Sequence, residues 1–199
     1  MESNLFLLIA ISYFFGSIPF AYILTLILGY GDIRKMGSGN VGATNVLRTG
    51  KKSLAIAVLI LDIVKGFLPI VIFLKYYQLS YPSSFLILIG SMSIIGHIFP
   101  IWLKFKGGKG VATYIGFISG ISFTLGIICV LSWLLTASIK KYSSLASILS
   151  LIIMPISSFI FKYDLKITII LIILSILIII KHSSNIKRLL NNSENKIKL

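Results

Sequence analysis

Acidic residues are scarce in this chain: 5 Asp or Glu stand against 19 Lys or Arg, and no two acids lie near one another in sequence. With only two histidines, His97 and His182, and no clustered carboxylates, there is no set of ligands for a metal ion. No cofactor is expected. The single cysteine, Cys129, lies inside an apolar run, so no internal disulfide forms and the chain needs no oxidising compartment. Also missing is any polar stretch long enough for a soluble domain. The N-terminal apolar run lacks a basic flank and an Ala-x-Ala-like cleavage site, so a retained span is expected instead of a removed signal peptide.

Apolar residues are what the chain has in excess. They make up 57% of its 199 residues, and the mean hydropathy of +1.01 is far above that of a water-soluble domain. Uncharged runs at Ser3 to Gly31, Tyr76 to Leu103, Gly110 to Ile139 and Tyr142 to Phe161 are each long enough to cross a bilayer. The predicted spans are Leu5 to Leu28, Leu54 to Leu74 despite its Asp62 and Lys65, Ser84 to Leu103, Leu145 to Phe161, and Tyr163 to Lys181 with Lys166 and Lys181 snorkelling at its ends. The run Gly110 to Ile139 is either one long tilted helix or two short ones broken near Gly120 to Gly126.

Charge decides between these. With seven spans and an external N-terminus, fifteen basic residues face the cytoplasm and three, Lys75, Lys162 and Lys166, face outward. With six spans the bias nearly vanishes. The positive-inside rule therefore favours seven transmembrane helices in an all-α polytopic membrane protein, N-terminus extracytoplasmic and C-terminus cytoplasmic, with a short or broken pair in 110–139. The whole chain, 1–199, is expected to be one membrane domain. A net charge of +14 then reads as attraction to membrane lipids, and nucleic-acid binding is improbable because the basic residues ring a membrane surface. Asp62 and Lys65, three apart within a span, can share a helix face as an internal ion pair or belong to a site. Gly116 and Gly120 form a GxxxG pair suited to close helix approach, although glycine is common in membrane helices.

Four polar elements fall on the cytoplasmic side of this topology. In the first, Gly37, Gly39 and Gly42 let the backbone approach a ligand, Ser38, Asn40, Thr44 and Asn45 offer hydrogen bonds, and Arg48 offers a fork of donors suited to phosphate. Such a stretch can also be a plain turn. In the second, Gly107, Gly108 and Gly110 surround Lys109 just before a helix, where backbone N–H groups and an ammonium can meet a phosphate. It is not a Walker A loop, since no Ser or Thr follows Lys109. In the third, Ser143 and Ser144 either cap a helix or bind substrate. In the fourth, His182 and Asn185 would share a face if that segment is helical. Two glycine-rich cradles with Arg48 and Lys109 suggest one polyanionic substrate or two phosphorylated ones.

Several ordered motifs carry a specific likeness: GSIPFAYIL from Gly16, GSGNVGATNVLR from Gly37, DIVKG from Asp62, GHIFPIWLKFKGGKGVAT from Gly96, YSSLAS from Tyr142 and the HSSNIKRL segment from His182. Across nearly its full length the sequence resembles the bacterial acyl-phosphate:glycerol-3-phosphate acyltransferases, integral membrane enzymes that make lysophosphatidic acid. The resemblance implies a seven-helix fold and a multi-pass place in the bacterial cell membrane with a cytoplasm-facing site. Ser38, Arg48, Lys109, Ser143, His182 and Asn185 would hold the two phosphates and the glycerol, and the loop glycines with Thr44 and Asn45 would form the cradle. It further implies acyl phosphate and glycerol 3-phosphate as substrates, in an arrangement compatible with a monomer working beside the enzyme that makes acyl phosphate. The His-x4-Asp signature of acyl-CoA-using acyltransferases is absent: Trp102 and Lys187 stand five residues after His97 and His182. Two rival classes remain. A small transporter for a phosphorylated metabolite would need ionisable residues on facing helices at the bilayer midplane, and a lipid-organising protein would need no glycine cradles.

Overall fold

The computed structural model describes residues 2–79, 81–82 and 84–197. Ten α-helices run through these residues: α1 (Glu2–Gly16), α2 (Phe20–Ile27), α3 (Ala43–Arg48), α4 (Lys52–Tyr76), α5 (Ser84–Ile98), α6 (Val111–Ile121), α7 (Phe123–Lys140), α8 (Ser143–Ile160), α9 (Leu165–Lys181) and α10 (Ser183–Leu190). Four are long and apolar enough to cross a membrane, six if the bent pairs α1 with α2 and α9 with α10 each count as one span. The chain is thus an all-α polytopic membrane protein. Its exposed faces are correspondingly apolar, with Phe6, Leu7 and Ile11 on α1 and Ile172, Ile173 and Ile176 on α9. The structure falls into two compact units, residues 1–121 and 122–199.

In the first unit, the expected span Leu5 to Leu28 is built of two helices, α1 and α2, with a bend of 46° between them. Pro19 supplies no N–H and disfavours helix at Ile18, so the hydrogen-bond ladder is interrupted there. Lys65 Nζ donates to the backbone carbonyl of Ile18 at 3.0 Å, and beside it Trp102 Nε1 donates to the Ser17 hydroxyl at 2.9 Å. Asp62 and Lys65 do form an ion pair, 2.8 Å apart and almost wholly buried on α4.

Small residues bring α4 and α6 together. Gly66 rests on the Thr113 carbonyl, and Gly116 rests on the carbonyl of Ile63, so the two backbones touch reciprocally. That is the packing the GxxxG spacing permits, with Gly66 as the partner from the facing helix. A Gly116→Ala substitution forces its methyl group into immovable backbone. Destabilisation of about 1–3 kcal/mol is expected, read as a lowered thermal midpoint in detergent.

In the second unit, α7 begins after Ser122, whose side chain accepts from Leu125 N at 3.3 Å and caps the helix. The run Gly110 to Ile139 is therefore two helices, interrupted within the expected window. The halves are unequal: 18 residues make α7 about 27 Å long, whereas the 11 of α6 reach only about 17 Å. Hydroxyls join α8 to α9, through Ser158 and Thr168 at 2.8 Å and from Ser175 Oγ to the Leu151 carbonyl at 2.9 Å. Pro155 lies inside α8 and Pro69 inside α4, each tolerated within a longer helix.

Candidate functional site

The first loop is built around Asn45. Its amide nitrogen donates to the carbonyls of Ile33 and Met36 at 3.1 and 2.9 Å, and its oxygen accepts from Ser38 N at 2.9 Å and Ser38 Oγ at 3.3 Å. These bonds engage the side chain in shaping the loop, so Asn45 is a builder of the loop. Gly37, at φ +52°, sits against the Asn45 oxygen, where a Cβ would overlap. Ile33, Val41 and Val46 are buried with Ala21, Leu54, Ala55, Val58 and Leu103, an apolar cluster that fastens the loop to α2 and α4.

That anchoring leaves Ser38 exposed and Arg48, in the last turn of α3, half-buried. Gly39, Asn40, Gly42 and Thr44 are half-buried along the same loop. At its start Asp32 accepts from the Arg34 guanidinium at 2.7 Å. These hydrogen bonds hold the Asp32 carboxyl down at about 2.

The second loop follows a turn in which Lys104 and Phe105 have φ of 52° and 62°. Gly107 N donates to Ile98 O and Gly108 N to His97 O, each at 3.1 Å, and α6 starts at Val111 directly after Gly110. A Cβ on Gly108 would meet both the His97 ring and the Val41 carbonyl. Val41 belongs to the first loop. The two glycine-rich loops are therefore in contact, and Arg48 and Lys109 belong to one compact unit.

In the second unit Ser143, Ser144, His182 and Asn185 are all buried. The N-cap position of α8 belongs to Tyr142, so neither serine fills it. His182 lies in the turn between α9 and α10, as the residue capping α10, and Asn185 lies within α10, which is bent by 62° from α9. His182 Nδ1 lies 2.8 Å from the Ile178 carbonyl, which can only accept; a neutral ring therefore carries its proton on Nδ1 and its lone pair on Nε2.

Sequence reading missed Glu194. Its carboxylate accepts from Ser144 Oγ at 3.0 Å, Asn185 Nδ2 at 2.7 Å and Arg188 Nε at 2.6 Å, joining the third and fourth polar elements. Burial alone would raise this carboxyl, but the hydrogen bonds from Asn185, Arg188 and Ser144 outweigh it and hold the group below its ordinary value. Beyond it, Ile197 N donates to Lys141 O at 2.7 Å and its side chain packs with Ala137, Ala146 and Trp133. His97 was missed as well. Among the described residues no group of three His, Cys, Asp or Glu is placed to hold a metal.

A multi-pass helical membrane protein carrying glycine-rich, cationic loops suited to phosphate is the class that fold and site define. Residues 6–192 match the family model described as glycerol-3-phosphate acyltransferase. The chain is 48% identical to the glycerol-3-phosphate acyltransferase of Pelagibacter ubique over 98% of each chain. It is 44% identical to that of Brucella anthropi, over 93% of this chain and 89% of the other. Its structure superimposes on PlsY (YgiH), an integral membrane glycerol 3-phosphate acyltransferase, solved in a glycerol 3-phosphate form, with a TM-score of 0.92 and 36% identity, covering 98% and 96% of the two chains. The lysophosphatidic acid form of that protein gives 0.89 and 35% over the same shares. This chain belongs to the glycerol-3-phosphate acyltransferase family.

Proposed function

We propose that the chain transfers a fatty acyl group from an acyl phosphate to the 1-hydroxyl of sn-glycerol 3-phosphate, giving lysophosphatidic acid and phosphate. Family membership supports this reading, and the observation that carries it at the level of residues is the contact of Gly108 with Val41, which joins the two cradles. The acceptor phosphate is assigned to Arg48, whose guanidinium offers paired donors. Lys109 is assigned to the phosphate of the donor and to the negative charge that develops on it in the transition state. Ser38 adds a hydroxyl, and Ser143 and Asn185 orient the glycerol.

An acyl phosphate is a mixed anhydride and already activated, so no enzyme nucleophile is required. The glycerol oxygen, held about 3–3.5 Å from the acyl carbon, forms the new ester bond while the bond from acyl carbon to phosphate oxygen breaks. The leaving phosphate takes the hydroxyl proton. The first polar loop contains no carboxylate beyond Asp32, which its pairing with Arg34 keeps ionised and occupied. His182 is the alternative base through Nε2. Replacing His182 by Gln is expected to keep turnover within about tenfold and raise the KM for glycerol 3-phosphate; loss of turnover by more than about 10²-fold at unchanged KM would assign the proton to His182.

The topology completing this reading has seven spans, with α6 as a short one, the N-terminus outside, and the site open to the cytoplasm, where acyl phosphate is made. The whole chain, 1–199, is taken as one acyltransferase domain in this proposal. The test is an assay of detergent-purified protein with synthetic acyl phosphate and labelled glycerol 3-phosphate, with acyl-CoA run in parallel. Lysophosphatidic acid should form from acyl phosphate alone. Product formed only from acyl-CoA would overturn the donor assignment.

A further inference from the structure

Lys65 is fully buried, and Asp62 and His97 nearly so, yet none of the three belongs to the cradles. Charges so placed inside a membrane protein are costly unless each finds a partner. Here they form a chain of contacts. Lys65 Nζ donates to Asp62 Oδ1 at 2.8 Å and to the Ile18 carbonyl at 3.0 Å, where α1 breaks into α2. His97 Nδ1 stands 3.6 Å from the same Asp62 oxygen.

From His97 the chain of contacts reaches the second loop twice. The backbone carbonyl of His97 accepts from Gly108 N, and its ring occupies the space a side chain on Gly108 would need. Gly107 likewise fits against the His97 carbonyl with no room for a Cβ. The crevice lined by these groups is too narrow for a water-sized sphere, so the triad is closely packed by protein. Lys109 is the next residue in the chain.

We propose that Asp62, Lys65 and His97 are positioning residues for the acyl transfer: a buried polar brace that sets the 107–110 loop, and through it Lys109, relative to the first cradle. This rests on the assignment of Lys109 to a substrate phosphate made above. The brace explains why an ion pair is retained in a helix that otherwise packs with apolar and small residues. It also gives the break after α1 a role, since the Ile18 carbonyl freed there receives the third group of the brace.

A residue that only helps the protein fold would, when changed, reduce the active fraction and so lower apparent kcat with both KM values unchanged. A displaced phosphate loop instead weakens one substrate selectively. In full-length protein purified in detergent, His97→Ala and Asp62→Asn should each raise at least fivefold the KM of the same phosphorylated substrate whose KM rises in Lys109→Ala, leaving the other within twofold. His97→Asn, which keeps a donor near the Nδ1 position, should recover most of the loss. In a Lys109→Ala background, His97→Ala should add less than a twofold further change in kcat/KM. If Asp62→Asn fails to accumulate, because it strands the Lys65 charge, the His97 pair carries the test. Wild-type KM values in His97→Ala, or losses from His97→Ala and Lys109→Ala that multiply fully, would overturn the brace while leaving the cradle intact. Wild-type kinetics in Lys109→Ala would overturn both.

Discussion

Replacing Lys109 by Ala is expected to lower turnover by about 10²–10³-fold, the usual consequence of losing one preorganised donor to developing negative charge. The expectation follows from how firmly its surroundings are fixed. Gly108 before it is locked between the His97 ring and the Val41 carbonyl, and Gly110 after it has φ +96°, a conformation that favours glycine. An ammonium on so constrained a backbone arrives at its target with little reorganisation. Lys51 is the control: it is exposed and stacks its Nζ over the Tyr30 ring at 4.6 Å. Lys51→Ala should stay within about twofold of wild type, as an exposed substitution away from such a site usually does. Initial rates with saturating acyl phosphate compare the two.

Glu194→Ala is expected to be the most damaging change outside the loops. The carboxylate serves Ser144, Asn185 and Arg188 at once, and hydrogen bonds to a charged group contribute about 1.5–3 kcal/mol each. Losing it leaves the Asn185 amide, assigned to the glycerol, without the group that holds it. The thermal midpoint in detergent should drop by about 5 °C or more, and the KM for glycerol 3-phosphate should rise. Acidity gives an independent readout. Because the folded protein holds Glu194 below its ordinary value of 4.5, the carboxylate stabilises the fold above that pH. The contribution is lost as pH falls from there through the lowered folded value. Glu194→Gln should flatten this part of the acid profile; an unchanged profile would show that the carboxylate is not what holds the tail.

Glycine spacing made the tight backbone of both polar loops legible in the sequence, because close backbone approach leaves a local mark. The pairing of Asp62 with Lys65 was legible for the same reason, three residues apart on one helix. The interruption within 110–139 followed from charge bias rather than from any breaker residue, and Ser122 is a cap that reads as an ordinary polar residue in a membrane run. The bend after α1 had a signal in Pro19, overshadowed by the uninterrupted apolarity around it. Glu194 had none: in a polar tail a lone acid reads as solvated, and its partners Ser144 and Asn185 are brought to it by folding alone. Asn45 shows the converse, since a polar side chain in a cradle can be engaged in building the loop. His97 lay within a recognised motif, but its place beneath Gly108 is a long-range contact that spacing does not encode.

The proposal that all four polar elements lie on one side of the membrane can be probed directly by thiol labelling from outside intact cells and from the interior of opened ones. Single cysteines at Lys51, Lys106, Lys141 and Ser184 are suited to this, since all four positions are exposed, while the native Cys129 is buried. A membrane-impermeant maleimide should reach every one of them from the cytoplasmic side only. Labelling of any one from the external side would separate its loop from the others and overturn the proposed assignment of substrate groups to all four.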